Sequence, residues 1–441
     1  MDTWEENGFL FTGERNCTLI SYKGEESVLN LPKTSRNRKL AKIGAGAFEG
    51  NLFLEKIWMP DSVTEVEEAA FKNCRNLKEI HLSENLSSLP ENVFFGCRNL
   101  SIVNIPDKLT HIPGMLFIHS CPVKIMIGKN VKEIKNRAFN GSCLQEVSVD
   151  KDNPYFISDG KGIYSKKGDK LLSLLVKCSA YKIKEGVERI GEHAFENSTG
   201  IKEIELPESL KIIDDYAFFS TEITKICFPK KLEKIGKAAF KFCRNLKSAE
   251  LPDSLRVIGD ESFVDSGLTK VKVPKNVAKI GINAFTIRKN EIDTRGVEDF
   301  SVDSNNPYYY IDNSALFYRE KAGNRLLLLV KNIPSKYKIP EKTAFLSDDI
   351  FSYHAELTEA ALPEGLKEIG NYTFYYSNIE KAGIPDTVEK IGNYAFYQTK
   401  IKEINIPASL KILGKNALST RRNPERGRFL NKVYVDPENP R

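Results

Sequence analysis

The chain has 441 residues, 41% hydrophobic and 28% charged, with a net charge of +6. A charge this weak over this length gives no continuous basic stripe of the kind nucleic acid requires. No apolar run reaches the roughly 18 residues of a membrane span; LLSLLV at 171–176 and LLLLV at 326–330 are only strand-length.

Residues 1–39 are atypical. GFLFTGERNCTLISYKGEESVLNLP alternates like strands between Gly turns and predicts an N-terminal cap over the first coil. The opening MDTWEENGF has no basic stretch followed by an apolar segment, so no secretory leader is expected in this sequence.

From residue 40 a single frame recurs. Its marker is a Phe at 48, 71, 94, 117 and 139, again at 195, 218, 240, 263 and 285, and again at 351, 374 and 396, with Leu418 in the last place. Within each run the spacing is 22 or 23 residues, the period of a solenoid. A Pro usually stands eleven residues before the marker, as Pro60, Pro207, Pro252 and Pro385 do. Leu or Val stands eight before it, with Thr343 as the exception. Segments such as IKEINI at 401–406 put apolar residues on one strand face, and the following Pro ends the strand. A short helical turn is then expected to carry the Ala–Phe pair inward. One such unit is too small to bury its apolar side, so units must stack.

The blocks are 40–149, 183–302 and 339–435, separated by insertions at 150–182 and 303–338. Both insertions open on Asp-x-x-Asn-Pro (Asp150, Asn153, Pro154; Asp303, Asn306, Pro307) and carry β-prone runs between turn signals. Each is read as a lateral β-hairpin on one continuous solenoid domain. A third copy of the signature begins at the end of the chain, in residues 436–441, which predicts a truncated third insertion.

Chemistry-bearing motifs are sparse. There is no nucleophile elbow, phosphate-binding loop or zinc-protease helix, so no catalytic, metal or cofactor residue is assigned. Asp150, Asp152 and Asn153 mimic the start of a calcium loop. Tyr155 and Lys161 stand where Gly and Glu are needed, and turn formation by Asx side chains explains the residues better. Cys74, Cys97 and Cys243 lie three residues after a marker, and Cys121 and Cys143 four after. They read as a column of reduced, buried thiols. Two basic clusters, Arg36, Arg38, Lys39 and Lys42, and Arg421, Arg422, Arg426 and Arg428, read as solvated loops.

The frame resembles the BspA-like leucine-rich repeats of bacterial surface proteins. IPDTVEKIGNYAF at 384–396 and LPDSLRVIGDESF at 251–263 carry the pattern, and AFKNCRNL at 70–77, FFGCRNL at 94–100 and AFKFCRNL at 239–246 carry its Cys form. The resemblance implies a β-rich α/β fold: a right-handed leucine-rich-repeat superhelix with a parallel sheet. It also implies a cell-surface or secreted protein adhering to host or matrix proteins, without enzymatic activity. The expected partner is a protein, with a glycan as the alternative. The candidate contact residues are Tyr308, Tyr309, Tyr310, Tyr155 and Phe156, because aromatic residues there interrupt the regular frame. Charged strand positions such as Lys202, Glu203, Glu205, Lys270, Lys272, Lys402 and Glu403 offer a mixed-sign face beside them.

Overall fold

A computed structural model describes residues 2–120, 122–135, 137–139, 144–285, 297, 299–313, 315–329, 333–420, 422–423, 427–428, 430 and 432–438. Cys121, Cys143, Arg421 and Arg426 lie outside the described residues. The chain forms two compact units: residues 1–247 with 258–267, and residues 248–257 with 268–441.

The coil closed by Phe218 shows the local logic. Its outer strand, Glu203–Glu205, buries Ile204 and exposes both Glu side chains. The carbonyl of Pro207 accepts the N–H of Leu210 at 3.1 Å, so the proline begins the turn that ends the strand. The inner strand Ile212–Ile213 buries Ile213. Outer strands of successive coils pair in parallel, Ala180–Lys182 with Glu203–Glu205. Inner strands do the same, Arg189–Ile190 with Ile212–Ile213 and then Lys234–Ile235. The marker rings stack inside, with centroids 4.7 Å apart for Phe195 and Phe218 and 4.9 Å for Phe218 and Phe240. In the second unit Phe351, Phe374 and Phe396 repeat this at 5.1 Å. The spacing follows from coils set about one strand spacing apart, roughly 4.8 Å, into which flat rings fit face to face.

The segment around each marker is not a helical turn, and among the described residues there is no α-helix. The α/β expectation is therefore corrected to an all-β solenoid. The reason is backbone handedness. The residue two before the marker has positive φ in coil after coil: Ala69 (57°), Tyr216 (56°), Ala238 (50°), Tyr372 (54°) and Tyr394 (55°). So does the residue two after it: Asn73 (61°), Ser220 (56°), Phe242 (63°), Tyr353 (55°) and Tyr376 (54°). A left-handed residue every fourth position breaks the i to i−4 bonding of a helix. Each costs about 1–2 kcal/mol when it carries a Cβ. The compensation is a third ladder. Tyr216, Phe218 and Ser220 donate their N–H groups to the carbonyls of Lys237, Ala239 and Lys241 in the next coil, each at 2.8 Å.

The column three residues after the marker needs a small donor. The thiols of Cys74, Cys97 and Cys243 each sit 3.0 Å from a marker carbonyl, those of Phe48, Phe71 and Phe218. Ser120 donates its hydroxyl to Phe94 in the same way. These cysteines are free thiols. Burial pushes the Cys243 thiol up to about 11, which keeps it protonated.

The two insertions are more than hairpins. Each is a three-stranded antiparallel meander whose last strand pairs in parallel with the inner strand of the following coil, and the N-terminal segment has the same form. There, β1 (Thr3–Glu6), β2 (Phe9–Thr12) and β3 (Asn16–Tyr22) are antiparallel, and β3 pairs in parallel with β4 (Arg38–Ile43). At the first insertion β5 (Glu146–Val149) ends an outer sheet. β6 (Phe156–Ser158), β7 (Gly162–Ser165) and β8 (Lys170–Leu174) follow, and β8 pairs with β9 (Arg189–Ile190). At the second, β10 (Lys270–Val273) pairs with β11 (Asp299–Val302). The meander is β12 (Tyr309–Asp312), β13 (Ala315–Glu320) and β14 (Gly323–Leu329), and β14 pairs with β15 (Thr343–Leu346).

The Asx residues lock each meander to the preceding coil. Asn153 is fully buried; its amide donates to the carbonyls of Gly128 and Val131, and its oxygen accepts from the N–H groups of Tyr155 and Phe156. Asn306 repeats this with Pro274, Val277, Tyr308 and Tyr309.

Candidate functional site

The aromatic residues singled out in the insertions do not form one exposed patch. Phe156 is buried in the core with Ile163, Leu175 and Val176. Tyr309 is 3% exposed, and its hydroxyl accepts the N–H of Ile280 at 2.8 Å; burial pushes that phenol up to about 12. Tyr310 stacks on Phe317 at 5.2 Å under the Arg319 guanidinium. Only Tyr155 and Tyr308 are exposed.

A larger aromatic surface lies on the turns of the second unit. In the second unit the left-handed tyrosines flanking the markers are exposed or half-buried, and the residue after the marker lies beside them. In three successive coils these places hold Tyr353; Tyr372, Tyr375 and Tyr376; and Tyr394 and Tyr397. They form stacked pairs across coils: Tyr372 with Tyr394 (5.3 Å, 3°), Tyr375 with Tyr397 (5.4 Å, 15°), and Tyr353 with Tyr376 (5.6 Å, 15°). Edge-to-face contacts join the pairs, Tyr372 to Tyr375 at 5.3 Å and Tyr394 to Tyr397 at 5.4 Å. Tyr353 is 68% exposed, and Tyr372 and Tyr376 are also exposed. Desolvation by the surrounding rings, with Tyr353 and Tyr376 beside it, raises the Tyr375 phenol.

The backbone beneath this surface is fixed. Asn371 donates its N–H to Asp348, Asn393 to Asn371 and Lys415 to Asn393, each to a side-chain oxygen 2.7 to 2.8 Å away. Segments 370–379 (GNYTFYYSNI) and 391–399 (IGNYAFYQT) hold no charged residue, in a chain that is 28% charged. The sequence signal was Asn-Tyr-x-Phe-Tyr at 371–375 and 393–397. It goes unnoticed when the marker segment is taken as a helical turn with one face inward.

The described residues of the first unit hold fragments of this arrangement, such as His193 on Tyr216 at 5.1 Å and Phe219 against Phe242 at 5.4 Å. The most buried carboxylate among the described residues of this unit lies close by. Glu196 accepts two bonds from the Arg137 guanidinium, each 2.8 Å, and lies 2.8 Å from Nδ1 of His193. Burial alone would raise this carboxyl, but His193 and Arg137 outweigh it and hold it below the ordinary range.

The charged outer strands are balanced within themselves. Lys56 pairs with Glu79 at 2.9 Å, Lys124 with Glu146 at 2.6 Å, Lys336 with Glu359 at 3.4 Å and Lys432 with Glu403 at 3.2 Å, and Lys182 pairs with Glu205. Water screens such exposed pairs, so they contribute little to stability. The first basic cluster is engaged too. Arg36 and Arg38 lie over the Trp4 ring, and Lys42 bonds Glu65 and Glu67. Among the described residues no group of three or more His, Cys, Asp or Glu gathers as a metal site, and no helix is long and apolar enough to cross a membrane.

Three solved structures are similar to this chain along most of its length. A leucine-rich repeat protein from Bacteroides ovatus is 17% identical, with a TM-score of 0.47, over 93% of this chain and 99% of that one. One from Eubacterium ventriosum is 16% identical, with a TM-score of 0.44, over 89% and 93%. The pneumococcal vaccine antigen PcpA is 15% identical, with a TM-score of 0.47, over 99% and 98%. No curated protein sequence matches the chain. Residues 30–159, 169–291 and 331–430, most of the sequence, match the BspA type Leucine rich repeat region in six copies, and the chain belongs to that family.

Proposed function

We propose that this protein is a non-catalytic binding solenoid that recognises a protein partner through the tyrosine face of its second unit. The observation that carries the reading is the pairing of composition with rigidity. Tyr and Asn dominate the exposed and half-buried positions of two segments that hold no charged residue, and Tyr is what antibody loops use for contact area at low entropic cost. Here the rings are held by one another and by a hydrogen-bonded backbone, so little ordering remains to oppose binding. Each stacked ring spends one face on its neighbour. That favours a protein over a sugar, which would need an open ring face. Exposed Tyr155 and Tyr308 serve as secondary contacts, while Phe156, Tyr309 and Tyr310 shape the surface beneath them.

Cell-surface display and adhesion to a host or matrix protein belong to the same proposal and are supported by family membership alone. The test is a panel of immobilised matrix proteins and a glycan array, probed with the wild type and with Tyr372→Ser, Tyr375→Ser and Tyr394→Ser combined. Loss of three central tyrosines should weaken binding to a matrix protein by about 100-fold or more. Retained binding removes this face from the proposal, and binding confined to the glycan array replaces the protein partner with a sugar.

A further inference from the structure

The two insertions share one frame through their second strands, at the offset between Asn153 and Asn306. They differ at the edge of the outer strand that precedes them. In the first insertion the edge of β5 is sealed by the chain itself. Val147 donates its N–H to the carbonyl of Gly160 at 3.0 Å, and the Ser158 hydroxyl donates to the carbonyl of Val147 at 2.7 Å. In the second, Phe300 takes the place of Val147 on β11, Ile311 replaces Ser158 and Asn313 replaces Gly160. Ile311 has no hydroxyl to give. The carbonyl of Asn313 accepts the Tyr337 hydroxyl at 2.8 Å rather than an N–H of β11. The N–H of Phe300 points away from β10, because alternate residues of a strand bond to opposite sides. Among the described residues no group accepts it. In place of the seal is a groove of about 280 Å³, lined by Phe300, Val302, Asp303, Tyr310, Ile311 and Arg319.

We infer that this groove takes an extended peptide segment of a partner, added as a strand to the edge of β11 and carrying an Asp or Glu toward Arg319. The main-chain half of the argument is the first insertion, where a carbonyl and a hydroxyl fill the same two positions. A foreign strand supplies a carbonyl for Phe300 N–H and an N–H for Phe300 C=O, the pairing of β-strand addition. The side-chain half is charge. One guanidinium nitrogen of Arg319 holds the carbonyls of Asn306 and Tyr309, and the side chain lies over Tyr310 at 4.5 Å. No carboxylate pairs with it among the described residues, and its remaining N–H donors suit a carboxylate in fork geometry. Asp303, the acid of the groove, is already paired with Lys272 at 3.3 Å. This site is distinct from the tyrosine face, and either can fail without the other.

The test begins on the unmodified protein. Amide exchange followed residue by residue should find Phe300 at least about 10-fold faster than Val147, since one amide is bonded and the other is open. Equal protection overturns the inference. The second arm is an array of twelve-residue peptides, blocked at both ends, β-prone, and bearing a single Glu, Gln or Lys at each position in turn. Glu peptides should bind about 10-fold tighter than their Gln counterparts and slow exchange at Phe300. Arg319→Gln should abolish the Glu preference. Ile311→Ser with Asn313→Gly, which copies the sealed insertion, should abolish binding while the Tyr309 amide stays protected. An array without Glu preference, or with binding unaffected by the sealing pair, overturns the inference.

Discussion

Ser220 offers the sharpest test of the turn handedness on which the candidate surface depends. It lies two residues after the marker Phe218 with φ at 56°, half-buried, its N–H bonded to the carbonyl of Lys241. Consider Ser220→Ala and Ser220→Gly. In a helical turn alanine would exceed glycine by about 1 kcal/mol. In the left-handed region a Cβ costs about 1–2 kcal/mol. Glycine's extra freedom in the unfolded chain returns about 0.5–1 kcal/mol of that. The glycine variant should therefore be more stable than the alanine variant by about 0.5–1 kcal/mol, opposite in sign to the helical expectation. Urea unfolding followed by far-ultraviolet circular dichroism measures it, with the two variants compared at equal denaturant slope. If Ser220→Ala proves the more stable, the turn is not held left-handed and the outward projection of the tyrosines loses its basis.

Phe218 is fully buried between two rings, so Phe218→Ala should cost about 3–5 kcal/mol in the same assay, whereas the exposed Phe53→Ala should cost under about 0.5 kcal/mol. Asn306→Ala leaves two carbonyls and two N–H groups without their partner; a loss of about 2–4 kcal/mol, with early proteolysis of the second meander, is expected, and unchanged cleavage would contradict the lock. Glu196 is held below the ordinary carboxylate range, so its stabilisation is complete above an ordinary Glu value of about 4.3 and fades as pH falls through the lower folded value. Glu196→Gln should thus cost about 1–3 kcal/mol at pH 7, and the gap from wild type should close in acid below that range. Thermal melts from pH 7 to pH 3 that stay parallel would refute this.

The coil was legible in the residues alone. A Phe every 22 or 23 residues, a Pro eleven before it and apolar residues on one strand face admit only stacked units, because no single unit can bury its own core. The residues also marked both insertions, since Asp-x-x-Asn-Pro is written in residue types and the bonds of Asn153 and Asn306 are local in sequence at one end. Three things were decided only by the tertiary structure. The turns are left-handed rather than helical because the N–H groups of Tyr216, Phe218 and Ser220 find acceptors one coil away, at residues that local propensity cannot see. The N-terminal segment is a third copy of the meander, which pairing reveals and composition hides, because it lacks the Asx signature. The tyrosine face exists because residues 22 apart, unremarkable singly, are stacked at 5.3 Å by the coil spacing. Sequence periodicity specifies which residues share a column; the spacing of hydrogen-bonded coils determines that flat rings in that column touch.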